Sequence, residues 1–234
     1  MKALVTGASR GIGRAIAVRL ARDGYDALLT GRDRAALEQT ATLVREAGRE
    51  AGIIVVDLAS PDAPAAIAAR VREHGGLAVL VNNAGLAPGG LVDSYTVADW
   101  DRVMAINARA PFFLTQELLP DLRRARPGYV VNICSVVSRK GYAGQALYTA
   151  SKHALLGFTK ALAREVPTDE LRVHAVLPGG VDTEMIRGVR PDIRTDELIS
   201  PEEVADVVAT LVAMKGNAVI DEIEVRRRAK PAWD

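Results

Sequence analysis

The 234-residue sequence has a single cysteine, Cys134, which excludes an internal disulfide and any metal site built from several thiolates. Cys134 lies in the apolar run 130–134, where a buried, inert thiol is expected rather than a nucleophile. Histidine is almost as sparse. His74, His153 and His174 stand far apart without ligand spacing, so no metal is expected. Aromatic residues make up only 4% of the chain, and neither sign of charge dominates, the formal net charge being +1. Acids and bases alternate along the helical segments, so the basic stripe needed to hold a nucleic acid is missing. The run Arg226-Arg227-Arg228 is the local exception and reads as a solvated strand end. No apolar stretch reaches the length of about 20 residues that a membrane span requires. The N-terminal residues run straight into a turn without an export-signal core. The expectation is a cytoplasmic protein with neither nucleic-acid nor membrane partners.

What the sequence does contain is length and alternation. At 49% hydrophobic and 25% charged, the chain can build one large core and is short for two, so a single domain over 1–234 is expected. Short apolar runs bounded by turn residues predict strands at 2–6, 27–30, 52–56, 78–81, 128–133, 172–177 and 219–225. Segments of helical period predict helices at 12–23, 34–47, 61–74, 97–108 continuing through 111–125, 147–166 and 201–214. Ser60-Pro61 and Ser200-Pro201 each offer a capping serine ahead of a proline at the first helical position, and Pro167 ends the helix before it. This order predicts an α/β, doubly wound, three-layer Rossmann-type fold with a seven-stranded parallel sheet. The loops at 86–94, 138–146 and 179–199 each follow a predicted strand, the end of the sheet where such folds bind ligands.

The first strand leads directly into Thr6-Gly7-Ala8-Ser9-Arg10-Gly11-Ile12-Gly13 and a helix. Glycines here let the backbone turn tightly and approach a pyrophosphate, while the helix start offers unpaired N–H groups and a favourable dipole to the anion. Gly7, Ser9, Arg10, Gly11, Ile12 and Gly13 are therefore candidate cofactor contacts. The second strand ends at Thr30-Gly31-Arg32-Asp33. Arg32, with Arg10 in the turn, would flank a 2′-phosphate, which favours NADP. Asp33 is either the next helix cap or an acid for ribose hydroxyls, and this keeps NAD as the alternative. Asp57 and Leu58 close the third strand, where Asp57 is placed to accept from an adenine amino group. The small residues of Asn82-Asn83-Ala84-Gly85 would let a cofactor lie against the backbone, adding Asn83, Ala84 and Gly85.

Tyr148 and Lys152 stand four apart on a predicted helix and so share one face, where they can converge on a single substrate oxygen. A free phenol, with a pKa of about 10, is a poor base at neutral pH, and a neighbouring ammonium should lower it. By itself the spacing is also what a solvated helix produces.

Jointly, and in this order, the motifs resemble the short-chain dehydrogenase/reductases, specifically the compact group that includes ketoacyl-carrier-protein reductases. The correspondence runs from the first strand to about Met185 and rests on 6–13, 82–85, Asn107, Ser135, Tyr148 with Lys152, and Pro178-Gly179-Gly180-Val181-Asp182-Thr183. The resemblance implies Tyr148 as general acid and base, Lys152 tuning it and holding the nicotinamide ribose, and Ser135 bonding the substrate oxygen. It implies Asn107 supporting a water-linked proton path to Lys152, and Val181 and Thr183 at the nicotinamide carboxamide. Tyr148 and Lys152 thus count among the cofactor contacts as well. The activity implied is hydride transfer between NADP(H), with NAD as the alternative, and a small-molecule ketone, aldehyde or secondary alcohol, in a homodimer or homotetramer. A nucleotide-sensing regulatory protein on the same fold is the second reading, against which the complete Ser135, Tyr148 and Lys152 set argues. Epimerases and dehydratases of the extended relatives would show different glycine spacing and a longer C-terminal domain. This chain departs from its relatives at 217–234, where a charged strand and basic stretch replace a Gly-rich apolar tail, which puts the usual tetramer contact in doubt. Of the basic residues that carrier-protein reductases show beside the pocket mouth, Arg126 fits one and Asp169 stands at another. Arg139, Lys140, Tyr142, Arg187, Arg190 and Arg194 in the pocket loops would suit an anionic ketone, or merely solvate the surface.

Overall fold

Seven strands, β1 (Lys2–Thr6), β2 (Asp26–Gly31), β3 (Ala51–Val55), β4 (Val79–Asn82), β5 (Gly128–Ile133), β6 (Leu171–Pro178) and β7 (Glu222–Val225), form one parallel sheet in the computed structural model, which describes residues 1–168, 170–189 and 194–232. Their order is β3-β2-β1-β4-β5-β6-β7, so the direction of winding reverses between β1 and β4. The helices are α1 (Gly11–Arg22), α2 (Arg34–Glu46), α3 (Ala63–Glu73), α4 (Val97–Met104), α5 (Ala110–Ala125), α6 (Ala146–Glu165), α7 (Glu184–Val189) and α8 (Pro201–Ala213). The expected doubly wound, seven-stranded parallel architecture is what the chain adopts.

Two apolar layers sandwich the sheet. Ile16 and Leu20 of α1, Leu37 and Val44 of α2, and Val204, Val208 and Leu211 of α8 pack on one face. Ile67 and Val71 of α3, Leu114, Leu118 and Leu122 of α5, and Leu162 of α6 pack on the other. Strands covered on both faces must be apolar throughout, and β5 and β6 are buried at every position. Two of the polar exceptions inside pair with each other: Asn82 Nδ2 donates to Asn132 Oδ1 at 2.8 Å, and Asn132 Nδ2 to Thr159 Oγ1 at 2.8 Å.

Strand limits fall close to those predicted except in β7, which begins at Glu222 instead of residue 219. Ahead of it Ile220 O bonds to His174 Nδ1 at 2.7 Å and the carbonyls of Met214 and Gly216 to the Arg172 guanidinium at 2.5 and 2.6 Å, so side chains hold the approach to β7 until Asp221 O accepts from Ala175 N at 2.8 Å. The Ser60-Pro61 cap is also corrected. α3 starts at Ala63 with Asp62 at the N-cap and Pro64 in its first turn, because Ser60 belongs to a preceding turn in which its N–H donates to Asp57 O at 3.0 Å. Ser200 does cap α8, accepting from Glu203 N at 3.2 Å while the Glu203 carboxylate accepts from Ser200 N at 2.7 Å. Asp33 caps α2 through Ala36 N at 3.1 Å. Short α7 and the 3₁₀ turns at Val92–Ser94, Val136–Ser138 and Thr195–Glu197 escape the sequence reading, being too brief to show a period.

Between α4 and α5 the helix widens into a π turn at Ala105–Arg109. This turn, and the fold's switch point, determine where the site lies.

Candidate active site

Where the winding reverses, the connections after β1 and β4 leave the sheet on opposite faces and open a crevice at the carboxyl edge. A cleft of about 1240 Å³ occupies this crevice, running from Arg32 and Asp57 past the glycine turn to Ser135, Tyr148 and Lys152. All the cofactor and catalytic candidates border it except Asn107, which lies behind its wall.

At the nucleotide end the turn is built from backbone. Gly7 has φ +65° and Gly11 φ +55°. A Cβ on Gly13 would stand 2.3 Å from Gly7 O and 2.5 Å from Asn83 Nδ2, so only glycine lets the start of α1 close on the end of β1. The Thr6 hydroxyl donates to Val81 O at 3.3 Å and accepts from Asn83 N and Ala84 N at 3.0 and 3.1 Å, locking β1 to the loop after β4. Asn83 Nδ2 donates to Thr6 O at 2.8 Å, so Asn83 braces the glycine turn. Arg14, which the sequence reading missed, donates to Ser9 O at 2.6 Å and Thr40 Oγ1 at 3.1 Å and holds the turn from the helix side. The N-cap residue Arg10 makes no side-chain capping bond to α1, which leaves its first N–H groups open to a ligand.

The two arginines differ. Arg10 pairs with Glu184 at 2.5 Å across the mouth of the cleft. Arg32 is exposed and, among the described residues, its side chain has no ion-pair or hydrogen-bond partner. Asp57 accepts from Ala59 N at 3.0 Å through Oδ1 and lies 3.7 Å from Arg102 Nη2 through Oδ2. Leu58 is buried beside it. Thr183 Oγ1 donates to Val181 O at 3.3 Å, in the loop that follows β6.

At the other end, α6 carries Tyr148 and Lys152 on one face. Lys152 is buried, donates from Nζ to Ile133 O at 2.7 Å, and lies 5.9 Å from the centroid of the Tyr148 ring. Ser135, just past β5, donates to Pro178 O at 3.5 Å and accepts from Val137 N at 3.4 Å. These bonds are long enough for the hydroxyl to exchange them for a substrate oxygen. Burial pushes the half-buried Tyr148 up to about 12, while the Ser135 hydroxyl acts the other way. The expected lowering by Lys152 is therefore corrected. Burial sets the direction for the phenol, and it also lowers the pKa of Lys152 itself, whose ammonium bonds to Ile133 O. Burial likewise raises the Cys134 thiol to about 11, in keeping with an inert sulfur.

Asn107 occupies the π turn, fully buried. Its Oδ1 accepts from Leu86 N at 2.8 Å, and its Nδ2 donates to Leu86 O at 2.8 Å and Ser151 Oγ at 2.9 Å. It clips the loop after β4 to α6. A Cβ on Gly85 would meet Asn107 Oδ1 at 3.4 Å and Lys152 Nζ at 3.6 Å, so the amide and the ammonium flank the same glycine.

The basic residues sort unevenly. Lys140, Tyr142 and Arg187 border the cleft, with Arg187 paired to Asp182 at 2.8 Å. Arg139 turns to Glu222 at 2.5 Å and Arg194 to Asp196 at 2.7 Å. Arg126 precedes β5 at the amino edge of the sheet, 3.8 Å from Glu170, so it is not beside the pocket mouth. Asp169 and Arg190 lie outside the described residues. The reading of 226–228 as a solvated strand end is wrong for its middle residue. Arg227 is buried and borders the cleft. Among the described residues no helix is long and apolar enough to cross a membrane, and no group of three or more His, Cys, Asp or Glu could hold a metal.

A glycine turn at the switch point and a tyrosine–lysine helix at the far end of one cleft place the molecule among dehydrogenases of doubly wound fold. The chain belongs to the short-chain dehydrogenases, a family of oxidoreductases whose family model, described as short chain dehydrogenase, matches residues 1–194. The 3-oxoacyl-(acyl-carrier-protein) reductase of Pseudomonas aeruginosa is 37% identical over 221 residues, covering 90% of this chain and 89% of that one. A solved metagenomic short-chain oxidoreductase in complex with NADP is 37% identical with a TM-score of 0.84, covering 97% of each chain. A short-chain dehydrogenase from Burkholderia cenocepacia, also in complex with NADP, is 35% identical with a TM-score of 0.88, covering 96% of this chain and 95% of that one.

Proposed function

We propose that this protein interconverts a ketone or aldehyde and an alcohol by hydride transfer with NADP(H), Tyr148 moving the proton. The observation that carries the reading is that Tyr148, Lys152 and Ser135 border the same cleft as the glycine turn. The cradle fits a dinucleotide: Gly13 leaves no room for a Cβ, and the first N–H groups of α1 carry no side-chain cap. The NADP in two similar solved structures supports the phosphorylated cofactor, as does an exposed Arg32 at the end of β2. Arg10 contributes less, being held by Glu184.

When bound, the nicotinamide supplies the hydride for reduction or accepts it in oxidation. Ser135 turns its hydroxyl to the carbonyl oxygen and orients it. Tyr148 donates its proton to that oxygen as negative charge develops there, so the carbonyl gains one hydride and one proton and leaves as the alcohol. Lys152 anchors one N–H on Ile133 O and offers its others to ribose hydroxyls and to the tyrosine oxygen. Asn107 keeps the Leu86 backbone and Ser151 in register behind it. In oxidation the steps reverse, and the tyrosine must first lose its proton. Leu86, Tyr142 and Met185 narrow the substrate end. The reading of a nucleotide sensor finds no support in the comparisons. Exposed Trp100, Phe112 and Phe113 on α4 and α5 favour self-association through that face, which sedimentation would measure.

A panel of carbonyl compounds offered with NADPH tests the proposal. Oxidation of the cofactor with at least one is expected, and none across ketones, aldehydes and oxo acids would sink it.

A further inference from the structure

The three arginines at 226–228 do three different things. Arg226 turns back on its own tail, Nη1 donating to Arg227 O at 3.0 Å and to Lys230 O, while Lys230 N donates to Arg227 O at 3.0 Å. Arg228 is exposed and borders no part of the cleft. Arg227 turns inward. Its side chain is only 10% exposed and reaches the cleft, lying across the loop after β6. A Cβ on Gly180 would meet Arg227 Cδ at 3.4 Å and Nε at 3.6 Å, so the arginine stem rests on that glycine. Gly180 follows by two residues the Pro178 carbonyl that Ser135 touches, which puts the guanidinium at the catalytic end. Among the described residues this guanidinium makes no hydrogen bond. Its one ion-pair partner, Glu197 Oε2, is 3.8 Å from Nη1 and beyond hydrogen-bond reach.

A guanidinium carries five N–H donors and keeps its charge, and those of Arg227 open onto the cleft, where water or a ligand can meet them. We propose that Arg227 anchors a carboxylate of the substrate, which makes the substrate class an oxo acid or the corresponding hydroxy acid. The inference rests on the carbonyl-reductase reading above. The planar fork suits a carboxylate in two-point contact, and Lys140 and Lys230 border the same end. Glu224 lines that wall and Glu197 stands beside the guanidinium, so acidic side chains offset part of the positive charge that Arg226, Arg227, Lys140 and Lys230 bring to the cleft.

Initial rates with NADPH on short oxo carboxylates, the carbonyl at successive distances from the carboxylate, on their methyl esters and on matching oxo phosphates give the test. The parent is expected to favour acid over ester by roughly 10- to 100-fold in kcat/KM, mainly through KM. Arg227→Gln brings that ratio towards one, Arg227→Lys restores part of it, and Arg228→Gln leaves it as in the parent. A parent without acid preference, or an Arg227→Gln variant that keeps it, overturns the assignment while ester turnover still upholds the reductase reading. Phosphate preferred over carboxylate overturns the choice of anion. If no carbonyl is turned over, the reductase reading fails instead, and calorimetric titration of a short hydroxy acid and its methyl ester into the parent and Arg227→Gln decides Arg227 separately. Tighter binding of the acid to the parent alone upholds it, and any other result refutes it.

Discussion

The two ends of the cleft are built by opposite means. At the nucleotide end the surface is backbone, shaped by glycines that sit within seven consecutive residues, from Gly7 to Gly13, and braced by Thr6 and Asn83. At the substrate end it is side chain, drawn from segments as far apart as Lys140, Arg187 and Arg227. A backbone surface tolerates no added atom but is indifferent to most neighbouring side chains. A side-chain surface can be rewritten residue by residue while the sheet beneath it stays unchanged.

The largest effect should come where the ends meet. Tyr148→Phe is expected to lower the single-turnover rate by about 10² to 10⁴ with NADPH affinity retained, and a parent-like rate would remove the tyrosine from the chemistry. Next, Gly13→Ala sets a Cβ against backbone that cannot yield, so NADPH affinity by calorimetry should fall at least about 10²-fold. Gly180→Ala meets mainly the flexible ends of Leu198 and Arg227 and should leave NADPH affinity within a few-fold of the parent. Equal losses in the two variants would erase the contrast between backbone and side-chain recognition. A smaller effect is expected for Arg32→Ala, which should reduce the preference for NADPH over NADH by roughly 10-fold, the scale of one charge-assisted contact. Unchanged discrimination would remove Arg32 from the cofactor site.

The pH dependence sharpens the comparison from the catalytic side. Burial raises the Tyr148 pKa, so the phenol keeps its proton beyond the range of a free tyrosine. The difference in phenolate absorbance between the parent and Tyr148→Phe, without cofactor, should stay flat to about pH 10 and emerge only above it. Ionisation below about pH 9 would mean that the ammonium dominates after all. The smallest effect belongs to neither end: Ser200→Ala removes the cap of α8 and should cost about 1 kcal/mol in denaturant unfolding, with kcat unchanged.

What could be read from the sequence follows the same division. The glycine turn, Asp33, Ser200 and the strands of the sheet answer to short-range rules, and there expectation and structure agree closely. Ser60 was misplaced because Asp57 organises a turn ahead of α3 that competes with the expected cap. Arg227 escapes the sequence reading because a run of like charge reads as solvated, whereas its side chain folds over Gly180 just past the end of β7, a contact between distant segments. The direction of the Tyr148 shift is set first by burial, which depends on how distant segments close over the ring, and no local pattern carries that.

The π turn at 105–109 has a consequence for how this chain can vary. It holds one residue more than an α turn would, and the widened turn absorbs that residue without changing the rotational phase of α5 beyond it. Deleting one residue there would close the bulge into a regular α turn and leave Leu114, Leu118 and Leu122 on the sheet, whereas a deletion further along α5 would rotate the rest of the helix by about 100°. Asn107 therefore depends on the bulge, while the hydrophobic stripe of α5 does not. The amide that clips Leu86 to Ser151 is the part of this helix that a change of length at 105–109 would remove first.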